Sequence, residues 1–298
     1  MYALQYHRPQ NLVEAAALAK GGAGAGQGGS AAQPSGVGTG GHVGGHGVTD
    51  TGGDAKFLAG GHTLIPAMRA RLAAPAHLID LAHIPDLKGI RVHGNAIRIG
   101  AMTTHATVAG SAEIASVFPA LCDLASHIGD PAVRHCGTIG GSISNNDPAA
   151  DYPAALLAAN ATVHTDRRDI PADDFFTGLF ETALEDGEIV TAVSFEAPEA
   201  GAYEKFRNPA SRYAIVGVFV AKTRGVRVAV TGAGADGVFR STELESRLDG
   251  SLDPSRIEDV PVPSDNLMSD MHASAEYRAN LITVMAKRAL RKAAGAGR

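Results

Sequence analysis

Cysteine is scarce in this sequence. The 298 residues contain only Cys122 and Cys136, fourteen apart and with no CxxC. Two thiols so spaced are too few for a thiolate-bound zinc or an iron-sulfur cluster, so any redox chemistry must use an organic cofactor or metals held elsewhere. Positive charge is also in short supply: the net charge is -5 and no dense Lys/Arg block occurs. That leaves no electrostatic footprint for nucleic acid or an anionic membrane. No 18 consecutive residues are apolar, and the first ten lack an apolar stretch after a basic start, which predicts no transmembrane segment and a cytoplasmic chain. The 12 histidines show neither HExxH nor any paired ligand spacing, so no metal site is expected.

What is present is an apolar fraction of 45% over a length sufficient for two domains, each with its own core. Glycine is in local excess, with 15 of the 36 falling between positions 21 and 53. Before that tract, Asn11 and Glu14 form a capping box for a short helix that Gly21 is expected to end. The tract itself has no periodic apolar residues and is expected to be a mobile loop.

Beyond it, strands and helices alternate. Strands are predicted at 56–59, 78–81 and 96–99, helices at 118–128 and 153–159, and an edge strand at 162–165. A polar stretch near 180–190 predicts a domain boundary. The last third reads as strands at 189–195, 203–207, 214–221 and 226–231, followed by a helix over 274–292. In that helix Tyr277, Leu281, Met285 and Ala289 make one apolar stripe. Lys287, Arg288, Arg291 and Lys292 suit its solvated C-terminus.

Three stretches match GxGxxG, and none has the turn-strand-helix setting of a dinucleotide site. Gly24–Gly29 and Gly36–Gly41 lie in low-complexity sequence, while Gly232-Ala-Gly-Ala-Asp-Gly237 follows a strand and suits a hairpin turn. Ser142 and Ser144 lack a GxSxG elbow, so no hydrolase triad is read, and Asp173-Asp174 reads as a loop or cap.

Two other segments are better sites. In Lys56-Phe57-Leu58-Ala59-Gly60-Gly61-His62-Thr63-Leu64, tandem glycines end a strand, so several backbone N–H groups can converge on an anion such as pyrophosphate. His62 is placed to hydrogen-bond a phosphate there. Thr138-Ile139-Gly140-Gly141-Ser142-Ile143-Ser144-Asn145-Asn146-Asp147-Pro148-Ala149-Ala150-Asp151 repeats the glycine pair, then adds amides and carboxylates, with Asp151 able to accept from ribose hydroxyls. Together they favour an elongated diphosphate-containing cofactor held between lobes.

Residues 59–72 and 138–151 resemble the two flavin-loop signatures of the FAD-binding medium subunit of molybdenum hydroxylases, with the nearest likeness in aerobic carbon monoxide dehydrogenases. The likeness continues through Lys205-Phe-Arg-Asn-Pro-Ala-Ser-Arg-Tyr-Ala214 and Met271-His-Ala-Ser-Ala-Glu-Tyr-Arg-Ala-Asn280, so it covers all but the glycine-rich tract. It departs at Ser142, where relatives often have Asn, and at Pro131, where many have Gln.

The resemblance implies an α+β chain with a two-lobed FAD-binding domain of the PCMH type at 1–182. Lobe 1 would span about 1–58, with residues 21–53 as an insertion dispensable for FAD binding, and lobe 2 about 59–182. A smaller α+β domain of antiparallel strands and terminal helices would occupy 187–298. Non-covalent FAD would lie with its diphosphate over Ala59, Gly60, Gly61, His62, Thr63 and Leu64. Lys56, Phe57 and Leu58 would approach the adenine side, and Thr138, Ile139, Gly140, Gly141, Ser142, Asn145 and Asp151 would supply further contacts. Ile189 or Val190 would pack in the pocket and Lys205 would lie near the ring. Tyr213 is either a ring-stacking residue or a strand tyrosine with a wet hydroxyl.

No catalytic residue is implied. The chain would be an electron relay, with 2Fe-2S clusters in a small partner subunit, the molybdenum cofactor in a large one, and a dimer of heterotrimers overall. Two rival readings stand beside it: a self-sufficient flavin oxidase, and an assembly protein that has lost FAD.

Overall fold

The computed structural model describes residues 4–24 and 55–296; the rest of the predicted mobile tract lies outside the described residues, as does the GxGxxG match at 36–41. The opening helix runs Leu12–Gly24 and does not stop at Gly21. Gly21 lies within the helix, and a Cβ added there meets nothing within 4 Å, so the position does not require glycine. The expected cap is present: Glu14 N–H donates to Asn11 Oδ1 at 2.9 Å, and Gln10 N–H donates to Glu14 Oε2 at 2.8 Å.

Three larger sheets and a two-stranded ribbon of Phe176–Gly178 and Glu181–Thr182 organise the described residues. In the first, His77–Asp80 lies between Gln5–His7 and Ala55–Leu58, all parallel. Parallel neighbours need a crossover, and the helix Leu64–Arg69 supplies it between the last two strands. Lobe 1 therefore takes in the chain to at least Asp80, beyond the expected limit near residue 58, because the strand that closes its sheet follows the first glycine loop.

The second sheet has the order Ile90–His93, Ala96–Gly100, Val190–Glu196, Thr162–Thr165, Asp169–Pro171 and is antiparallel throughout. Two expectations change here. Thr162–Thr165 is paired on both sides and is not an edge strand. Val190–Glu196 is the middle strand of this sheet, so the chain leaves the second lobe after residue 196, past the boundary expected at 182–187. A polar stretch does precede the strand, but its alternating buried residues pair with Ala96–Gly100 rather than opening a new domain.

The third sheet is an antiparallel meander of Ala200–Arg207, Ala214–Lys222, Val226–Thr231 and Phe239–Arg240. The last pairing makes residues 232–237 a hairpin connection, as their turn chemistry predicts. Ala214–Lys222 is buried along nearly its whole length, and its alternate side chains enter different cores. Phe219 and Ala221 join the second lobe around Leu121, Tyr152 and Leu156. Val216, Val218 and Val220 pack against Ile282, Met285 and Leu290 of the helix Ala275–Ala296. The C-terminal domain thus shares a core with the lobe before it.

Charged side chains reinforce that junction. Lys292, expected to be solvated, donates to Asp123 Oδ2 at 2.9 Å, Glu204 Oε1 at 3.2 Å and Tyr203 O at 3.2 Å. Asp173 binds Arg227 across the same boundary, with Arg240 at 3.7 Å. Among the described residues no helix is long and apolar enough to cross a membrane.

Candidate cofactor cleft

One cleft gathers residues from all three parts of the chain. Lobe 1 contributes Phe57, Ala59, Gly60, Gly61, His62, Thr63 and Leu64. The second lobe contributes Thr138, Gly140, Gly141, Ser142, Asn145, Asp151, Ile189 and Val190, the third sheet contributes Lys205, and Tyr213, which is not in a strand, comes from the connection before Ala214. Lys56, Leu58 and Ile139 do not line it. The first two alternate with Phe57 on their strand, and Ile139 is fully buried in the second-lobe core.

The first loop follows from its glycines. Gly61 has φ +74°, and a Cβ there would lie 2.6 Å from Ile65 Cδ1. Gly60 rests on the second lobe: a Cβ would fall on the Cys136 carbonyl and 2.8 Å from Gly137 Cα. The first backbone bond of the following helix runs from Ile65 N–H to Gly61 O, 3.0 Å. The N–H groups from Gly61 to Leu64 therefore precede the helical ladder, and among the described residues none of them has a backbone acceptor, an arrangement that can meet an anion.

The second loop is built differently, which corrects the expectation that it repeats this chemistry. Its N–H groups are already engaged: Ile139 donates to Thr103 O at 3.1 Å, Gly140 to Ala101 O at 2.8 Å and Ser142 to Thr138 O at 3.0 Å. Gly141 donates to the capping Thr138 Oγ1 at 3.1 Å. Gly140 is required by packing, since a Cβ would approach Ala101 O to 2.8 Å. This loop offers the cleft its surface and polar side chains, not an anion nest.

The loop then turns at Asn146, whose φ of 42° is left-handed. Its Nδ2 donates to Gly178 O at 2.9 Å and Glu181 O at 2.8 Å. Asp151 follows, fully buried. Lys205 Nζ donates to its Oδ2 at 2.9 Å, and the Tyr203 hydroxyl makes a short hydrogen bond to Oδ1. Burial pushes the Asp151 carboxyl above its ordinary range, while the Lys205 ammonium and the Tyr203 hydroxyl pull it back down. Asp147, half-buried beside it, is also raised by burial, against the opposing bond from Ala149 N–H.

Several lining residues have no signal in the sequence patterns. Ala101, Met102 and His105 come from the segment after the strand Ala96–Gly100, and Ser211 and Arg212 from the turn before Tyr213. His105 is 4% exposed, and burial first, then the nearby His62 and Arg134, lowers its pKa to about 4. The imidazole is neutral at physiological pH. A histidine after two threonines carries no periodicity, so only the fold shows that it sits beside Gly137.

Residues 46–198 match the family model described as the FAD binding domain in molybdopterin dehydrogenase. Along the whole chain, the carbon monoxide dehydrogenase medium chain of Afipia carboxidovorans is 33% identical, over 97% of this chain and 96% of that one. The chain belongs to the FAD-binding medium subunits of the molybdenum hydroxylases. The nicotine 6-hydroxylase medium subunit of Paenarthrobacter nicotinovorans is 36% identical, over 80% of this chain and 89% of that one. A solved structure of carbon monoxide dehydrogenase from Hydrogenophaga pseudoflava, lacking the Mo-pyranopterin moiety, superposes with a TM-score of 0.80 at 31% identity, covering 99% of this chain and 98% of the other.

The cleft suits the cofactor of this family. It combines an anion-ready turn, the apolar pair Ile189 and Val190, and a buried Asp151–Lys205 ion pair. Those are the contacts a long molecule with a diphosphate, sugars and a flat ring system requires.

Proposed function

We propose that this chain is the FAD-carrying electron-transfer subunit of a molybdenum hydroxylase, of the aerobic carbon monoxide dehydrogenase type. The observation that supports this best is the single cleft joining the first glycine loop, the second loop and the third sheet. Bound FAD supplies the exchange between one- and two-electron chemistry. The chain's own residues bind and orient it. The N–H groups from Gly61 to Leu64 receive the diphosphate, with His62 beside them. Ser142, Asn145 and Asp151 offer polar contacts, Ile189 and Val190 exclude water, and Lys205 places a fixed positive charge at the cleft wall, where Asp151 orients it. Tyr213, at the rim and half-exposed, serves as the outer face of the ring site.

In the family, electrons reach the flavin from a small partner subunit carrying 2Fe-2S centres, and a chain with two cysteines, too few to hold a cluster, agrees with that division of labour. Substrate oxidation belongs to a large molybdenum-cofactor subunit, in a cytoplasmic dimer of heterotrimers. The test is anaerobic addition of carbon monoxide to the native complex. Bleaching of a stoichiometric, acid-releasable FAD supports the reading. A colourless subunit refutes FAD carriage, bleaching only by another substrate refutes the carbon monoxide assignment, and turnover of an alcohol by the isolated chain would favour a self-sufficient oxidase.

A further inference from the structure

The loop from Pro148 to Asp151 presents Ala149, Ala150 and Asp151 to the cleft, and its back is held by residues that never reach the cleft. Thr231, fully buried at the end of its strand, has its hydroxyl 2.6 Å from Ala150 O and 3.0 Å from Pro148 O. A hydroxyl has one hydrogen, so the two carbonyls share it. Gly232 N–H donates to the same Pro148 O at 2.7 Å. Gly232 has φ +81°, and a Cβ there would lie 3.0 Å from Ile215 O, so the turn is set closely against the neighbouring strand.

Arg278, from the C-terminal helix, holds this turn in place. Its Nη1 donates to Gly232 O and Ile215 O, both at 2.6 Å, and its Nη2 donates to Asp270 Oδ2 at 2.7 Å. Asp270 is itself fixed by N–H donors from His272 at 2.8 Å and Ala273 at 3.1 Å. Arg278 is the largest fully buried side chain among the described residues. Burying a guanidinium is costly unless its donors are matched, and here three of its five N–H groups meet acceptors, two backbone carbonyls and the Asp270 carboxylate, while the buried Nε has no partner among the described residues.

Resting on the FAD reading above, we infer that Thr231 and Arg278 are positioning residues for the cofactor, setting the second flavin loop from the C-terminal domain. The third sheet is then a part of the binding site's construction and not only a cover over it. Among the described residues Thr231 and Gly232 are the partners that the third sheet offers to the Pro148 and Ala150 carbonyls, whereas Asn146 anchors the opposite end of the loop to Gly178 and Glu181.

The experiment strips flavin from the full chain and titrates FAD back, following flavin fluorescence and visible circular dichroism. Thr231→Val keeps the shape and removes the hydroxyl, and its FAD dissociation constant is expected to rise about tenfold, the effect of one buried hydrogen bond. Thr231→Ser restores the donor and should bind within about twofold of wild type. Arg278→Met should weaken FAD at least as much where it folds. A Thr231→Val chain that melts earlier yet binds FAD with wild-type affinity and dichroism would overturn the inference alone. Wild-type chain that takes up no FAD would overturn the underlying reading and the inference with it.

Discussion

Lys205 and Asp151 meet across the boundary between the third sheet and the second glycine loop, 2.9 Å apart and both almost fully buried. The pair joins two segments 54 residues apart. Asp151 is thereby committed to protein partners on both oxygens, Tyr203 on one and Lys205 on the other. Its first task is to hold the lysine, and any cofactor hydroxyl must share those oxygens.

Removing one member should therefore cost more than removing both. Lys205→Met in the flavin-free chain is expected to lose about 3 kcal/mol at pH 7, because a buried carboxylate is left alone. Burial already raises the Asp151 pKa, and loss of the ammonium raises it further. An acid with a raised folded pKa costs stability as pH rises through that value, so the deficit should shrink on acidification. Urea unfolding of Lys205→Met, Asp151→Asn and the double variant at pH 5 and 8 checks this. A double variant no better than Lys205→Met would argue against the pairing.

His105 makes the opposite prediction. Its pKa falls from 6.5 to about 4 in the fold, so the neutral ring stabilises the native state fully above 6.5. That stability is lost as pH falls toward 4, amounting to about 3 kcal/mol by linkage. His105→Leu should flatten the acid limb of a stability-pH curve, and an unchanged limb would remove His105 as its source.

The glycines separate by neighbour. Gly60→Ala puts a Cβ onto the Cys136 carbonyl and close to Gly137 and should cost about 2–3 kcal/mol as well as flavin retention. Gly21→Ala, in a helix with no neighbour within 4 Å, should stabilise by about 0.5–1 kcal/mol. Thermal midpoints of the two variants should move in opposite directions.

Asp147 offers a second pH test inside the cleft. Burial raises its pKa above the ordinary 3.8, so it favours folding at low pH and opposes it as pH climbs through the raised value. Asp147→Asn keeps an acceptor for Ala149 N–H, 2.8 Å away, and removes the charge. The variant should gain stability relative to wild type between pH 4 and 7, read from chemical denaturation. A constant difference across that range would contradict a buried, titrating carboxyl.

Local pattern carried much of this protein. The capping box at Asn11 and Glu14, the strands of the third sheet, the hairpin at 232–237 and the two glycine loops all depend on residues within a few positions of one another, and such signals are written in sequence. Cysteine count and charge likewise set expectations about clusters and nucleic acid without reference to any fold. The loops were enough to point to a cofactor site, and most of the residues expected there line one cleft.

Tertiary structure decided whatever depends on distant partners. The strand Val190–Glu196 lies between Ala96–Gly100 and Thr162–Thr165, and no local cue could assign it to that sheet. Gly60 and Gly140 are glycines because of Cys136 and Ala101, although as sequence they looked alike as anion loops. Lys205 finds Asp151, and Arg278 finds Gly232, only after three sheets have packed. A side chain's periodicity records which face it takes, whereas the identity of what waits on that face is set by long-range packing, and in this chain that packing builds the back wall of the cleft.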